Sequence, residues 1–206
     1  MMHVAIAGNI GAGKTTLTGL LAKHYKWKAL YEDVLDNPYL EDFYTSMERW
    51  SFNLQVYFLK SRFNQMKEIR NGKRTVIQDR TIYEDAHIFA PNLHAMGLMT
   101  NRDYENYKSL FDLIEGLVKG PDVMIYLRSS IPNLVSQIQK RGREYENSIS
   151  IDYLSRLNER YEAWISDYDK SKLIVIDVDN VNFVDEPEDL GNIINKIDAE
   201  VHGLFI

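Results

Sequence analysis

The chain has no cysteine among its 206 residues, which excludes a disulfide framework and thiolate metal ligation and fits a reducing compartment. It also lacks any apolar stretch long enough to cross a bilayer or serve as a signal peptide, so the expected location is the cytoplasm. Basic residues are in the minority: 24 Lys and Arg against 30 Asp and Glu leave a formal charge of −6. That balance argues against a surface built to track nucleic acid, yet leaves room for a small anion in a local basic pocket. Internal repeats, low-complexity tracts and linkers are absent as well. With 45% hydrophobic side chains, residues 1–206 are expected to form one compact domain.

Five short aliphatic runs, "HVAIAG", "KALYED", "TVIQDR", "DVMIYLR" and "KLIVIDV", are nearly continuous in apolar character and alternate with helical patterning. Strands buried on both faces of a parallel sheet read this way, so the expected class is α/β with helices on both sides. Helices are expected over residues 14–24, from Pro38 to about Ile69, after "DRT", from about Asn101 to Val118, after "SSIP", from "SIDYL" to about Asp169, and from about Glu186. Pro132, preceded by Ser129 and Ser130, marks a helix start with a serine cap.

"GNIGAGKTT" follows the first strand and opens the first helix, and matches G-x-x-x-x-G-K-[ST] from Gly8 to Thr15. In such a loop the backbone amides of Gly8, Asn9, Gly11, Ala12 and Gly13 curl around phosphate oxygens, helped by the helix start at Lys14 to Thr16. Lys14 neutralises β/γ charge and Thr15 can ligate Mg²⁺. The motif establishes a triphosphate site, and GTPases, motor ATPases and small-molecule kinases share it.

The acceptor must be read from elsewhere. The second run ends in Glu32 and Asp33, near the carboxyl edge of the sheet where ligands of open α/β folds collect. Glu32 is placed to act as a general base on an acceptor hydroxyl, while Asp33 reads as a solvated acid or a cap. The third run ends in Asp79 and Arg80, the first suited to Mg²⁺ and the second to orienting Glu32 and the acceptor oxygen. In "WSFNLQVYFLKSRF", Gln55 and Arg62 are seven residues apart. At ~100° per residue they fall about 20° from a common meridian. Buried together they need polar partners, which a planar heterocycle edge supplies, unless that face is simply wet. Asp85 and Phe89 share a helical face, pairing an acid with a stacking ring. "QKRGREYE" gathers Lys140, Arg141 and Arg143, cations that can neutralise a transferring phosphoryl group.

These motifs, with "YLSRLNERYEAWI" and "DVDNVNF", resemble the deoxyribonucleoside kinase family nearly end to end, in particular its bacterial deoxyadenosine/deoxyguanosine kinase branch. The resemblance implies a P-loop kinase fold with a five-stranded parallel sheet and a short lid at about 137–150, ATP as donor with Mg²⁺, and a homodimer. It implies Glu32 as catalytic base, Arg80 beside the 5′-hydroxyl, Gln55 on the nucleobase, Arg62 and Asp85 as a base-reading pair and Phe89 as stacking ring. Tyr44 and Glu146 would hold the 3′-hydroxyl, Arg141 and Arg143 would be lid arginines, and Asn182 and Phe183 would grip the donor base. The departures are Asp33 in place of a proline, "DRT" in place of a glutamate-arginine-serine motif, and Gln137 where an arginine can stand. Deoxyadenosine is the first-choice acceptor, ahead of deoxyguanosine and deoxycytidine. A thymidylate-type monophosphate kinase is disfavoured because Glu32 would repel a charged acceptor. A P-loop switch is the non-enzyme alternative; it has no need of Gln55, Arg62 and Asp85 in a pocket. Apolar surplus around residues 50–69 and 101–118, with Phe52, Phe58 and Phe111 on more than one face, supports the dimer.

Overall fold

The structure, a computed structural model, describes residues 1–34 and 36–201. Its centre is a five-stranded sheet of β1 (His3–Gly8), β2 (Lys28–Leu30), β3 (Val76–Asp79), β4 (Val123–Arg128) and β5 (Lys172–Asp177). All pairings are parallel in the order β2-β3-β1-β4-β5, so every strand delivers its carboxyl end to one edge. Strand β2 is shorter than "KALYED" suggests: pairing stops at Leu30, which frees Tyr31 to Val34 to turn across the edge.

Alternate strand residues feed two apolar layers. Ala5, Ala7, Met124 and Tyr126 pack on one side with Phe43, Leu54, Phe58, Leu93, Leu157 and Tyr161. Val4, Ile6, Val123, Ile125 and Leu127 pack on the other with Leu17, Leu21, Ile193 and Ile197. Burial of both faces accounts for the unbroken apolar runs. The first layer comes chiefly from α2 (Leu40–Thr45), α3 (Met47–Asn71), α5 (Ala90–Ala95) and α8 (Ile151–Ser166), and the second from α1 (Lys14–Tyr25) and α9 (Pro187–Val201). The remaining helices are α4 (Ile82–Glu84), α6 (Asn101–Glu115) and α7 (Ile131–Arg141).

Three local departures from the sequence reading shape the site. The expected helix from Pro38 is interrupted at Ser46, whose non-helical backbone closes α2 through its N–H to Asp42 O and opens α3 by accepting from Trp50 N. The bend lets α2 and α3 both turn side chains toward the carboxyl edge. Second, Asp85–Phe89 is a π turn between α4 and α5, in which the Ala90 N–H reaches back to Asp85 O. Such turns recur at functional sites because the extra residue re-aims the side chains around it. Third, Ser130 precedes α7 without a side-chain cap. Asp179 does that work instead, accepting from Ser130 N at 2.8 Å and Ser129 Oγ at 3.1 Å.

Candidate active site

The loop between β1 and α1 curls around a cavity of about 820 Å³, walled by Gly11 to Thr16, Glu32, Tyr44, Gln55, Arg80, Asp85, Phe89, Arg141 to Glu146 in part, and Phe183. Two glycines are dictated by this shape. Gly11 and Gly13 both have φ near +89°, and a Cβ would lie 2.8 Å from Leu134 O at the first and 2.9 Å from the Phe183 ring at the second. No side chain fits either place without displacing its neighbour. Gly8 and Asn9 stand outside the cavity wall. The Asn9 side chain instead braces the loop, donating to Leu154 O at 3.0 Å and Asn158 Oδ1 at 3.2 Å and accepting from Ile10 N at 2.8 Å. Lys14 Nζ donates to Asn9 O at 2.9 Å across the loop. Burial first, and then Arg80, hold the Lys14 ammonium down at about 8, against the pull of Asp79 and Glu32.

Glu32 faces this loop from the segment after β2. Its Oε1 accepts from Arg62 Nη2 at 2.8 Å and Arg80 Nη1 at 3.2 Å. Burial alone would push its carboxyl up, but Arg80, Arg62, Lys14 and Arg143 together outweigh burial and bring it to about 2. The carboxylate is therefore ionised at any working pH. Asp33 turns away to accept from Tyr57 Oη at 2.8 Å, in keeping with its reading as a bystander.

Arg62 is placed differently from the sequence reading, which sets it beside Gln55 on a wall facing the base. Gln55 does line the cavity, whereas Arg62, fully buried, lies behind the wall. Seven residues are about 10 Å of helix rise, which carries Arg62 past the cavity and under the strand ends. There its guanidinium reaches Glu32, Asp85 Oδ2 at 3.5 Å and Asp79 O at 3.2 Å. Burial raises Asp85 to about 7 against the opposing Arg62 and Arg80. Gln55 Oε1 is buried and has no hydrogen-bond partner among the described residues. An acceptor left this way is costly, and a ligand N–H would satisfy it. Phe89 lies with its ring centroid 4.4 Å from the Arg80 guanidinium carbon.

Asp79, fully buried at the end of β3, accepts from Thr15 Oγ1 at 2.5 Å through Oδ2, while Oδ1 has no partner among the described residues. No group of three or more His, Asp or Glu side chains gathers among them that could hold a metal unaided. A carboxylate with a spare oxygen beside a threonine hydroxyl at the phosphate loop fits Mg²⁺, which takes one or two protein ligands and completes its shell with water and phosphate.

The end of α7 and the segment after it line the cavity through Arg141, Arg143, Tyr145 and Glu146. Glu146 accepts from Arg141 Nη2 at 2.5 Å and faces Arg143 Nη1 at 3.5 Å. Tyr44 stacks against Tyr145 with centroids 5.5 Å apart. The Phe183 ring occupies the space a side chain at Gly13 would need, and Asn182 caps the neighbouring turn by accepting from Asp185 N at 3.2 Å. Lys140 and Gln137 also line the cavity.

Sequence reasoning missed Glu84. It is fully buried, accepts from Thr81 N at 2.7 Å and Tyr161 Oη at 2.9 Å, and stands 3.7 Å from Arg80 Nε. Burial pushes its carboxyl up, with Arg80 the first of the groups opposing that shift. "TIYE" carries the T-x-x-E signature of a capping box, which the structure forms, so a signal was there to read.

A parallel sheet in this order, with a phosphate loop after its central strand and a clamped carboxylate opposite, is the P-loop kinase fold. The chain belongs to the deoxynucleoside kinase family, whose model, "Deoxynucleoside kinase", matches residues 4–202. It is 40% identical over 202 residues to the deoxyadenosine/deoxycytidine kinase of Bacillus subtilis (strain 168), covering 97% of this chain and 93% of that protein. It is 36% identical to the deoxyguanosine kinase of Lactobacillus acidophilus, over 96% of this chain and 90% of that one. Among solved structures, deoxyadenosine kinase from M. mycoides with bound dATP superposes with a TM-score of 0.83 at 32% identity, covering 96% of this chain and all of that one.

Proposed function

We propose that this deoxynucleoside kinase transfers the γ-phosphoryl group of ATP to the 5′-hydroxyl of deoxyadenosine, acting in the cytoplasm as a homodimer. The observation that carries the proposal is Glu32, held by Arg62 and Arg80 on the wall of the cavity that also exposes Lys14. Glu32 accepts a hydrogen bond from the 5′-hydroxyl and aims its lone pair at the donor phosphorus. At about 2, the Glu32 carboxyl is a weak base toward a neutral alcohol. That suits a loose transition state, in which the hydroxyl proton becomes strongly acidic only as the new P–O bond forms. Proton transfer to Glu32 is then downhill and late.

Arg80 keeps Glu32 and the acceptor oxygen in line, while Lys14, Arg141 and Arg143 spread charge on the transferring group. Thr15 and Asp79 would hold Mg²⁺, which when bound neutralises charge on the donor phosphates. The amides of Gly11 to Gly13 and the start of α1 at Lys14 to Thr16 cradle those phosphates, and Asn182 and Phe183 flank the donor base. Phe89 stacks on the acceptor base, and Tyr44 and Glu146 bind the 3′-hydroxyl under the lid at 137–150.

A base with an exocyclic amine, deoxyadenosine first, is favoured by the base wall. The unpartnered Gln55 Oε1 is suited to accept from such an amine, which adenine, cytosine and guanine carry and thymine does not. Relatives named for deoxyadenosine, deoxycytidine and deoxyguanosine all resemble this chain, which supports the substrate class. The dimer is supported by α6, whose inner face buries Tyr107 and Phe111 while Leu110, Leu113 and the following Leu117 are exposed. A coupled ADP-release assay with the four deoxynucleosides, adenosine and the monophosphates tests the proposal. Deoxyadenosine should give the highest kcat/KM; turnover confined to monophosphates, or equal turnover of adenosine, would overturn it.

A further inference from the structure

Glu84 has no part in the mechanism above, yet it is the most heavily engaged buried acid near the reacting groups. A capping box requires its glutamate to accept one hydrogen bond, from the N-cap amide. Here Oε2 accepts that bond from Thr81 N at 2.7 Å. The other oxygen, Oε1, accepts from Tyr161 Oη of α8 at 2.9 Å and from Gly8 N at 3.4 Å, and lies 3.7 Å from Arg80 Nε. Thr81 N, Tyr161 Oη and Gly8 N donate to it and the Arg80 guanidinium faces it with positive charge, so an ionised carboxylate is the form that satisfies them. A helix cap alone would not justify burying this charge.

The engaged groups share a purpose. Gly8 ends β1 and opens the phosphate loop, so its amide reports where the donor cradle begins. Arg80 carries a left-handed backbone, φ 65°, which a residue with a side chain adopts only when its surroundings hold it there. Its guanidinium lies between two carboxylates, Glu32 on Nη1 and Glu84 on Nε. One acid therefore fixes the arginine that aligns the acceptor, the turn that presents it and the first amide of the donor loop. We propose that Glu84 is a positioning residue for phosphoryl transfer, holding Arg80 in register with the phosphate loop. The inference rests on the function proposed above.

Its test compares wild type, Glu84→Gln, Arg80→Lys and the double variant, with ATP and deoxyadenosine as substrates and thermal unfolding measured alongside. Glutamine keeps the cap acceptor but turns an N–H₂ group into a ring of donors. Glu84→Gln should lower kcat about 100-fold, since misplacing an aligned group by about 1 Å costs this much. Both KM values should stay within about threefold, the pattern of an interaction made only in the transition state. On the Arg80→Lys background the same change should cost less than about threefold further, because the two residues act as a unit. A merely structural role would lower the melting temperature and leave kcat of the folded fraction unchanged, or would multiply independently with Arg80→Lys; either result overturns the proposal. Should Glu84→Gln fail to fold, Tyr161→Phe removes one donor from the same oxygen and must show a kcat loss that is non-additive with Arg80→Lys; an additive or absent loss overturns it. Wild-type protein inert toward every deoxynucleoside would instead sink the function itself, so the two failures are distinguishable.

Discussion

Replacing Arg62 with methionine keeps much of the side-chain volume and removes a guanidinium that faces Glu32 at 2.8 Å and Asp85 at 3.5 Å. At an effective dielectric of about 20, these contacts are worth about 6 and 5 kcal/mol before desolvation. Desolvation takes back much of this, and removal of one partner from a buried pair leaves a cost of about 3–5 kcal/mol. The two acids do not share that cost equally. Asp85, raised to about 7 by burial against Arg62 and Arg80, escapes by taking up a proton at neutral pH. Glu32, at about 2, has no such outlet without losing several pH units of preference for its charge. Urea unfolding at pH 7 and fixed protein concentration should show Arg62→Met destabilised by about 3–5 kcal/mol, or about 6–20 °C in Tm for a chain of this size. Adding Glu32→Gln should recover about 1–3 kcal/mol, and adding Asp85→Asn less than about 1 kcal/mol. A loss below about 1 kcal/mol, or a larger rescue by Asp85→Asn, would refute the reading of Arg62 as a buried support of Glu32.

Three further outcomes follow from the same geometry. Because Lys14 titrates at about 8 in the free site and a bound triphosphate raises it, affinity for a non-hydrolysable ATP analogue should be flat below that pH. Above it, affinity should weaken about tenfold per pH unit as binding must recruit a proton; calorimetry from pH 7 to 9.5 checks the slope, and Lys14→Arg should flatten it. Asp79→Asn should raise the Mg²⁺ concentration for half-maximal turnover about 10–100-fold, read in a metal titration at saturating ATP. Leu113→Lys with Leu117→Lys should convert a dimer to a monomer in sedimentation at micromolar concentration while leaving the melting curve of the monomer cooperative.

The parts of the site legible in the sequence are those set by local rules. The phosphate loop is a contiguous motif, and the parallel sheet brings strand ends to one edge, so Glu32, Asp79 and Arg80 could be placed from the ends of apolar runs alone. Gln55 and Arg62 share a helix face as periodicity requires, but periodicity says nothing of depth, and about 10 Å of rise moves Arg62 from the base wall to the back of Glu32. The break at Ser46 and the π turn at Asp85–Phe89 leave no sign in hydrophobic pattern, since both depend on where α2 and α5 must dock. Asn9 reads as a phosphate-loop residue because the motif spans it, yet its side chain is committed to Leu154 and Asn158 from α8, contacts 145 and 149 positions away in the chain. Glu84 is the instructive miss. Its capping box was readable, but only the fold brings Gly8 and Tyr161 to the same carboxylate.

If Glu32 receives the acceptor proton, single-turnover phosphorylation of deoxyadenosine by Glu32→Gln must be slow. The transfer rate should fall about 10²–10⁴-fold while the dissociation constants of ATP and deoxyadenosine change little. A glutamine variant that transfers phosphate at the wild-type rate would contradict the account.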